Sequence, residues 1–302
     1  MAIEKLLKSN YSRKVFYFIS TLFLGSLIII RFFVFPQFNV EVGTASIINN
    51  ILDSLVSTWI TTVLIASILF WLTPRVVQES QMDVVEPRQI EELLTLARDS
   101  DEYWYSGNTA RYTRTVTLPE LARRAEASNF TRRIKIQILD PTNDETLISY
   151  VNYRNRVRSG KKDPWTLDRV RIEILATILY IYLLKKTVPL LEVELGFKNS
   201  VSFFRIDLSK KVAVITKEDS REPALKCDSG TFFFNSYLEE LRYNLNTSKK
   251  LDTTVKGISY DELNNLPVIQ DLLNKLGIDI TIDTKMLDGI RESILEAKNP
   301  YA

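Results

Sequence analysis

The sequence predicts a membrane α-helical hairpin followed by a cytosolic α/β domain whose mixed sheet carries helices on both faces. Three observations lead there. Two long apolar runs lie before Arg75, and strand-like and helix-like segments alternate through the remainder. The 302 residues are 45% hydrophobic and 25% charged, which is too apolar for disorder and longer than a usual single domain.

The first apolar run, residues 15–35 (Val15 to Phe35), is broken only by Ser20, Thr21, Gly25, Ser26 and Arg31. At about 1.5 Å per residue it spans roughly 32 Å, enough for a hydrocarbon core. Arg31 lies near its end, where a long side chain reaches the interface. The second run, residues 54–73, carries no charge and stops at Pro74 and Arg75. A cleaved signal peptide is the alternative for the first run, since Lys5, Lys8, Arg13 and Lys14 resemble a basic leader. The run is too long for that, ends in Phe and Pro without a small-residue cleavage site, and is soon followed by another span. Residues 1–14 are basic, whereas the connection 36–53 carries only Glu41 and Asp53. The positive-inside rule therefore puts both termini of a multi-pass chain in the cytoplasm, with a short loop outside. Thr21 and Gly25 in the first helix, and Thr58, Thr62 and Ala66 in the second, repeat a small-xxx-small spacing. That pattern serves either packing between the two helices or self-association around a pore.

Residues 74–87 read as a linker, and Pro87 opens a helix over 88–100 with Ile90, Leu93, Leu94 and Ala97 on one face. Glu102–Ser106 is an aromatic strand, 118–128 a helix and 133–139 an alternating strand ended by Asp140-Pro141, a strand–helix–strand order that implies parallel pairing. Helices follow over 143–158 and 166–186. The run 174–184 is apolar throughout but short, with Arg171 and Glu173 before it and Lys185 and Lys186 after it, which marks a buried central helix. Strands are expected at 190–196, 202–208 and 211–217, the last two forming a hairpin, and a helix at 232–246. The α/β domain thus runs over 88–250, and residues 251–302 form a helical extension with helices near 260–276 and 284–297.

Composition limits the chemistry. The chain has no histidine and one cysteine, Cys227, which excludes histidine relays, imidazole zinc sites and a disulfide framework. No cofactor and no metal site is expected, and Cys227 reads as a buried thiol. Lys and Arg number 39 against 37 Asp and Glu, so a polyanion could be met only by a local patch. The loop after the first strand, with Ser106, Asn108, Arg111 and Arg114, can hold a phosphate, and Asp140 leaves the next strand at the same rim. The alternative is a polar turn with solvated arginines. Arg154, Arg156, Arg158, Lys161 and Lys162 form a basic patch suited to anionic lipid or nucleic-acid backbone, or else a helix end with cations at its C-terminus. Arg205 and Asp207 read as ordinary strand patterning, and Glu239 and Glu240 as a solvated face.

In their order, the Tyr105-Ser106-Gly107 strand end, the Leu118–Ala125 helix, the strand from Ile134 to Pro141 and the hairpin of Phe203–Leu208 with Val212–Ile215 resemble one half of a phospholipase D-like fold. Active members carry a His-x-Lys-x4-Asp motif on the hairpin. The corresponding strand here has neither histidine nor lysine, so the resemblance implies a pseudoenzyme that binds and does not cut. A two-helix hairpin on such a domain is also similar to membrane effectors of anti-phage defence, including those encoded beside retron reverse transcriptases. That likeness implies a toxin-type effector of abortive infection, held or triggered by a reverse transcriptase–nucleic acid complex or a nucleotide signal. Membrane lipids would be partners, and a homo-oligomer the active form. The other readings are a membrane-anchored nuclease or phosphodiesterase with a site lacking the motif, and a membrane tether or receptor module.

Overall fold

The computed structural model describes residues 10–34, 37, 42–72, 82–219, 221–252 and 254–296. Lys5, Lys8, Glu41, Arg75 and the linker up to residue 81 lie outside the described residues. The chain divides into two compact units, residues 1–80 and 81–302.

In the first unit, α1 (Asn10–Ile29) runs into a wide π-type turn (Ile30–Val34), and α2 spans Val42–Leu72. By length and composition both are apolar enough to cross a membrane, over Lys14–Val34 at mean hydropathy 2.0 and Ser46–Ile68 at 1.7. The second helix starts at Val42 and not at residue 54, because Ile47, Ile48 and Ile51 continue its apolar pattern past Asp53. Asp53 does not break the helix. Its carboxylate accepts bonds from Arg31 Nε at 3.0 Å and Nη2 at 3.2 Å, so Arg31 has an acidic partner where the sequence suggested only a reach to the interface. Tyr17 and Ser67 share a hydroxyl hydrogen bond at 2.8 Å, and the Phe23 and Trp59 rings lie 4.7 Å apart.

The second unit is built on one eight-stranded mixed sheet in the order β1-β7-β6-β5-β2-β3-β4-β8. The strands are β1 (Asp83–Val85), β2 (Glu102–Ser106), β3 (Arg132–Leu139), β4 (Leu191–Lys198), β5 (Arg205–Ser209), β6 (Val212–Thr216), β7 (Ala224–Asp228) and β8 (Lys249–Lys250). β2, β3 and β4 pair in parallel, while β5, β6, β7 and β1 continue antiparallel beyond β2. β1, β7 and β8 were not anticipated. Each is short, and each owes its identity to its neighbour in the ladder.

After β1, a 3-10 turn (Pro87–Gln89) leads into α3 (Ile90–Arg98), and α4 (Leu118–Ser128) connects β2 to β3. α5 (Asp144–Arg156), α6 (Arg158–Lys162) and α7 (Leu167–Thr187) connect β3 to β4. α8 (Phe232–Thr247) follows β7, and α9 (Leu266–Lys275) and α10 (Thr284–Leu295) end the described chain. Strand side chains alternate between faces. Tyr103, Tyr105, Ile134 and Ile136 therefore meet α4 and α7 on one side, and Trp104, Ile206, Leu208 and Cys227 meet Phe234, Leu241 and Leu245 of α8 on the other. The apolar run of α7 is a buried central helix, from Val170 through Leu184. Ile269, Leu273, Leu287 and Ile290 belong to the same core, so the C-terminal helices are part of this unit and not an appendage.

The connection from β2 to α4 is irregular. Ala110 has a left-handed φ of 55°, a conformation that costs a Cβ-bearing residue free energy. Next comes a π-type segment, Thr113–Thr117, that runs directly into α4.

Candidate ligand site at the carboxyl rim of the sheet

Ligands in parallel sheets gather where the strands end. The three parallel strands end together here, tied at their ends by Leu139 N–H to Asn108 O at 3.0 Å and Asp140 N–H to Lys198 O at 3.1 Å. β6 runs alongside β2 in the same direction, one strand removed, and so delivers Glu218 to the same rim.

Asn108 organises the rim. Its Oδ1 accepts from Ser202 N–H at 2.9 Å, and its Nδ2 donates to Ser202 O and to Glu218 Oε1, both at 2.8 Å. Glu218 also accepts from the Tyr150 hydroxyl at 2.9 and 2.8 Å and pairs with Arg154 Nε at 3.1 Å. Lys198, the last residue of β4, donates from Nζ to Ser202 Oγ at 2.5 Å. Burial pulls the Lys198 amine down to about 7, against the opposing pull of Glu218 and Glu240. Burial and the neighbouring Glu218 charge push the Tyr150 hydroxyl well above its ordinary range. Aromatic rings wall this side: Tyr150 stands edge-on to Trp165 at 6.1 Å, and Tyr153 to Phe203 at 5.0 Å.

A second polar chain lies beneath β5. Asp207, fully buried, accepts from the Tyr103 hydroxyl at 2.7 Å and pairs with Arg205 Nε at 2.8 Å. The Arg205 guanidinium sits 5.0 Å from the Tyr112 ring centre, and the Tyr112 hydroxyl donates to Glu91 at 2.5 Å. Burial foremost, with the Asp207 charge, raises the Tyr103 hydroxyl well above its usual value. Arg205 and Asp207 therefore form a buried ion pair where strand patterning alone suggested nothing special.

The structure brings Ser106, Asn108 and Asp140 to one rim, all buried. Asp140 closes its own turn, its Oδ1 accepting from Thr142 N–H at 2.9 Å and from the Thr142 hydroxyl at 2.6 Å. Arg111 and Arg114 point elsewhere. Both reach Glu173 of α7, Arg111 Nε at 3.3 Å and Arg114 Nη2 at 2.5 Å, and Arg114 is only 2% exposed. Of the basic patch, Arg154 belongs to the rim through Glu218, while Arg156, Arg158 and Lys161 are exposed and the Lys162 side chain lies outside the described ones. In the first unit Thr21, Thr58 and Thr62 are exposed, and Gly25 and Ala66 are half-buried. Thr62 donates to Thr58 O at 2.8 Å and Thr21 to Tyr17 O at 2.8 Å, so these hydroxyls are satisfied within their own helices.

Sequence reasoning missed Lys198, Ser202, Tyr150 and Glu218. It ended β4 at Gly196, two residues short of Lys198, although the strand-exit rule that singled out Ser106 and Asp140 applies equally to β4. Glu218 gave no signal, because its position depends on β5 lying next to β2. Among the described residues no group of three or more His, Cys, Asp or Glu side chains is arranged to hold a metal ion.

No family model matches the chain, and no curated protein matches it either. Among solved structures it is similar to TrmBL2, an archaeal chromatin protein whose structure is described as showing a novel mode of DNA binding. The identity is 8% and the TM-score 0.30, over 67% of this chain and 65% of that one, which is just under two thirds of the other protein's length.

Proposed function

We propose that the protein is an inner-membrane effector of the toxin type, in which α1 and α2 form a membrane hairpin with both termini in the cytoplasm and the α/β unit receives the signal that releases it. The observation that carries this reading is the state of the two long helices after they have paired. Phe18, Leu22, Phe33 and Leu64 remain 68, 63, 68 and 54% exposed, and the face bearing Thr58 and Thr62 is open. A surface of this kind needs lipid or further copies to cover it, and two helices per chain enclose a pore only by assembling.

The α/β unit reads as a degenerate phospholipase D-like half, supported by the order β2, α4, β3 and the β5–β6 hairpin and by the absence of histidine from the chain. Its trigger or inhibitor would be a nucleotide or a nucleic-acid complex, for which Arg156, Arg158 and Lys161 offer exposed cations. Expression of the full chain in bacteria should collapse the membrane potential, read with a voltage-sensitive dye, whereas residues 76–302 alone should not. Toxicity of the 76–302 fragment in cells that stay polarised would instead favour the membrane-anchored enzyme.

A further inference from the structure

The rim holds a pair that the effector reading does not use. Ser202 Oγ and Lys198 Nζ are 2.5 Å apart, both half-buried at the exit of β4. We propose that Ser202 is a reactive nucleophile with Lys198 as its base, and that the rim accepts an acyl group from an activated ester or thioester.

Three features of the geometry, and the composition of the chain, support the assignment. Ser202 is fixed on both sides of its backbone, N–H and C=O, by the single Asn108 side chain, and Asn108 is itself held by Glu218. The hydroxyl is thus aimed by a chain of hydrogen bonds, as a nucleophile must be. Glu218 is engaged by Tyr150, Arg154 and Asn108, which leaves Lys198 Nζ on Ser202 Oγ; Nζ donates in the ammonium form, and in the neutral amine the hydroxyl donates to Nζ across the same contact. A chain without histidine has the amine as its available base of suitable strength, and Lys198 at about 7 is substantially neutral near pH 7. Finally, Phe203 and Phe204 follow Ser202 directly and are 60 and 48% exposed, an apolar lip for the hydrocarbon part of an acyl donor.

The step balances without a co-reactant. Ser202 Oγ attacks the acyl carbonyl carbon, and the Lys198 amine takes the hydroxyl proton. The new C–O bond forms as the bond to the alkoxide or thiolate breaks, and Lys198 passes the proton to that leaving group. The product is an ester on Ser202 with Lys198 neutral again. A receiving domain modified in this way would register its ligand once per chain, independently of any turnover.

The test uses the purified full chain in detergent micelles with p-nitrophenyl acetate and p-nitrophenyl decanoate. Release of nitrophenolate together with one acyl group on the Ser202 peptide, read by mass spectrometry, is the expected result. Ser202→Ala should lose the adduct, and Lys198→Met should slow labelling by about a hundredfold or more, with no rescue by Lys198→Arg. In wild type the rate should rise as pH passes through about 7, since Lys198 faces Glu218 and Glu240 and no histidine. A Ser202→Cys chain supplies a readout that survives loss of the hydroxyl. Its thiol should alkylate with iodoacetamide faster than that of a Ser202→Cys, Lys198→Met chain, while Cys227 is buried and silent. Labelling of Lys198 in place of Ser202, equal labelling in Lys198→Met, or no adduct in a folded wild-type chain would overturn the proposal.

Discussion

α2 and α7 are both apolar over most of their length, yet they differ in what covers that apolar surface. In α2, Ile47, Ile60 and Ile65 are 61, 47 and 51% exposed, whereas the α7 side chains from Ile174 through Leu179 are buried. The hydroxyls do not separate them. Thr61 and Thr62 of α2 bond to Ser57 O at 2.9 Å and Thr58 O at 2.8 Å, and Thr177 of α7 likewise reaches Glu173 O at 3.0 Å besides Thr109 O at 2.9 Å. Each helix also bonds to another segment, α2 through Asp53 and Ser67, and α7 through Glu173, which takes Arg111 and Arg114. Apolar content alone does not separate the two cases. Flanking charge and burial do.

The strongest way to break this comparison is to remove the partner that α7 supplies. Glu173→Ala leaves Arg114 buried without its carboxylate and should cost about 3–5 kcal/mol, read by urea unfolding. A loss below about 1 kcal/mol, the range of an exposed ion pair, would mean that the site is wetter than its 2% exposure implies. Truncation of a packed apolar side chain, Leu175→Ala in α7, should cost about 2–5 kcal/mol. Ile60→Ala in α2 should leave unfolding of the α/β unit unchanged, and equal effects of the two would erase the distinction. For α2 the matching insult is a charge. On the proposed membrane reading, Ile60→Arg should disfavour insertion by about 2.5–3.5 kcal/mol and shift the chain out of the membrane fraction.

Smaller effects belong to the ends of α7. Thr166 caps its N-terminus by accepting from Arg169 N–H at 3.2 Å, and Thr166→Ala should cost about 0.5–2 kcal/mol in the same unfolding assay. At the other end Glu262 is held at about 2, first by Ser259 N–H, then by Lys186 and the Ser259 hydroxyl. Its folded value lies below the ordinary 4.5, so its contribution is complete above that value and fades as pH falls through about 2. Glu262→Gln should flatten a slight acid-side slope in the melting temperature. A slope that persists in that variant would assign the effect to other carboxylates.

Much of this architecture was readable because local signals and tertiary contacts agree in it. α4 ends at Ser128 as expected, where Asn129, at φ 47°, closes it, but Pro119 and Glu120 do not open it, because the helix already runs on from Arg111 through the wide turn. α7 was separable from a span by its charges. β7 was not readable, since Ala224-Leu225-Lys226-Cys227-Asp228 carries no clean alternation and is a strand because β6 and β1 flank it. The first turns of α2 were hidden by Asp53, whose cost Arg31 offsets from a distant part of the sequence. At the rim, Asn108 was legible from its place after a strand. Its partners Ser202 and Glu218 come from segments whose approach depends on strand order, and the destination of Arg114 depended on a glutamate in another helix.

The wide turn over Thr113–Thr117 marks a place where this chain can change length. A π-type segment carries about one residue more than the α-helix that would replace it. Deleting a single residue there, such as Thr115, would therefore let the helix run on regularly with the residues after it near their present faces. Leu118, Leu121, Ala122 and Ala125 would stay in the core, and the change would fall on the turn itself, which holds Arg114 against Glu173. Substitutions at Thr115 are also cheap, because its side chain is half-buried and bonds only to Tyr112 O among the described contacts. Sequences that share this fold should therefore tolerate loss of one residue here better than loss of one inside α4, where nothing absorbs the step of about 100°.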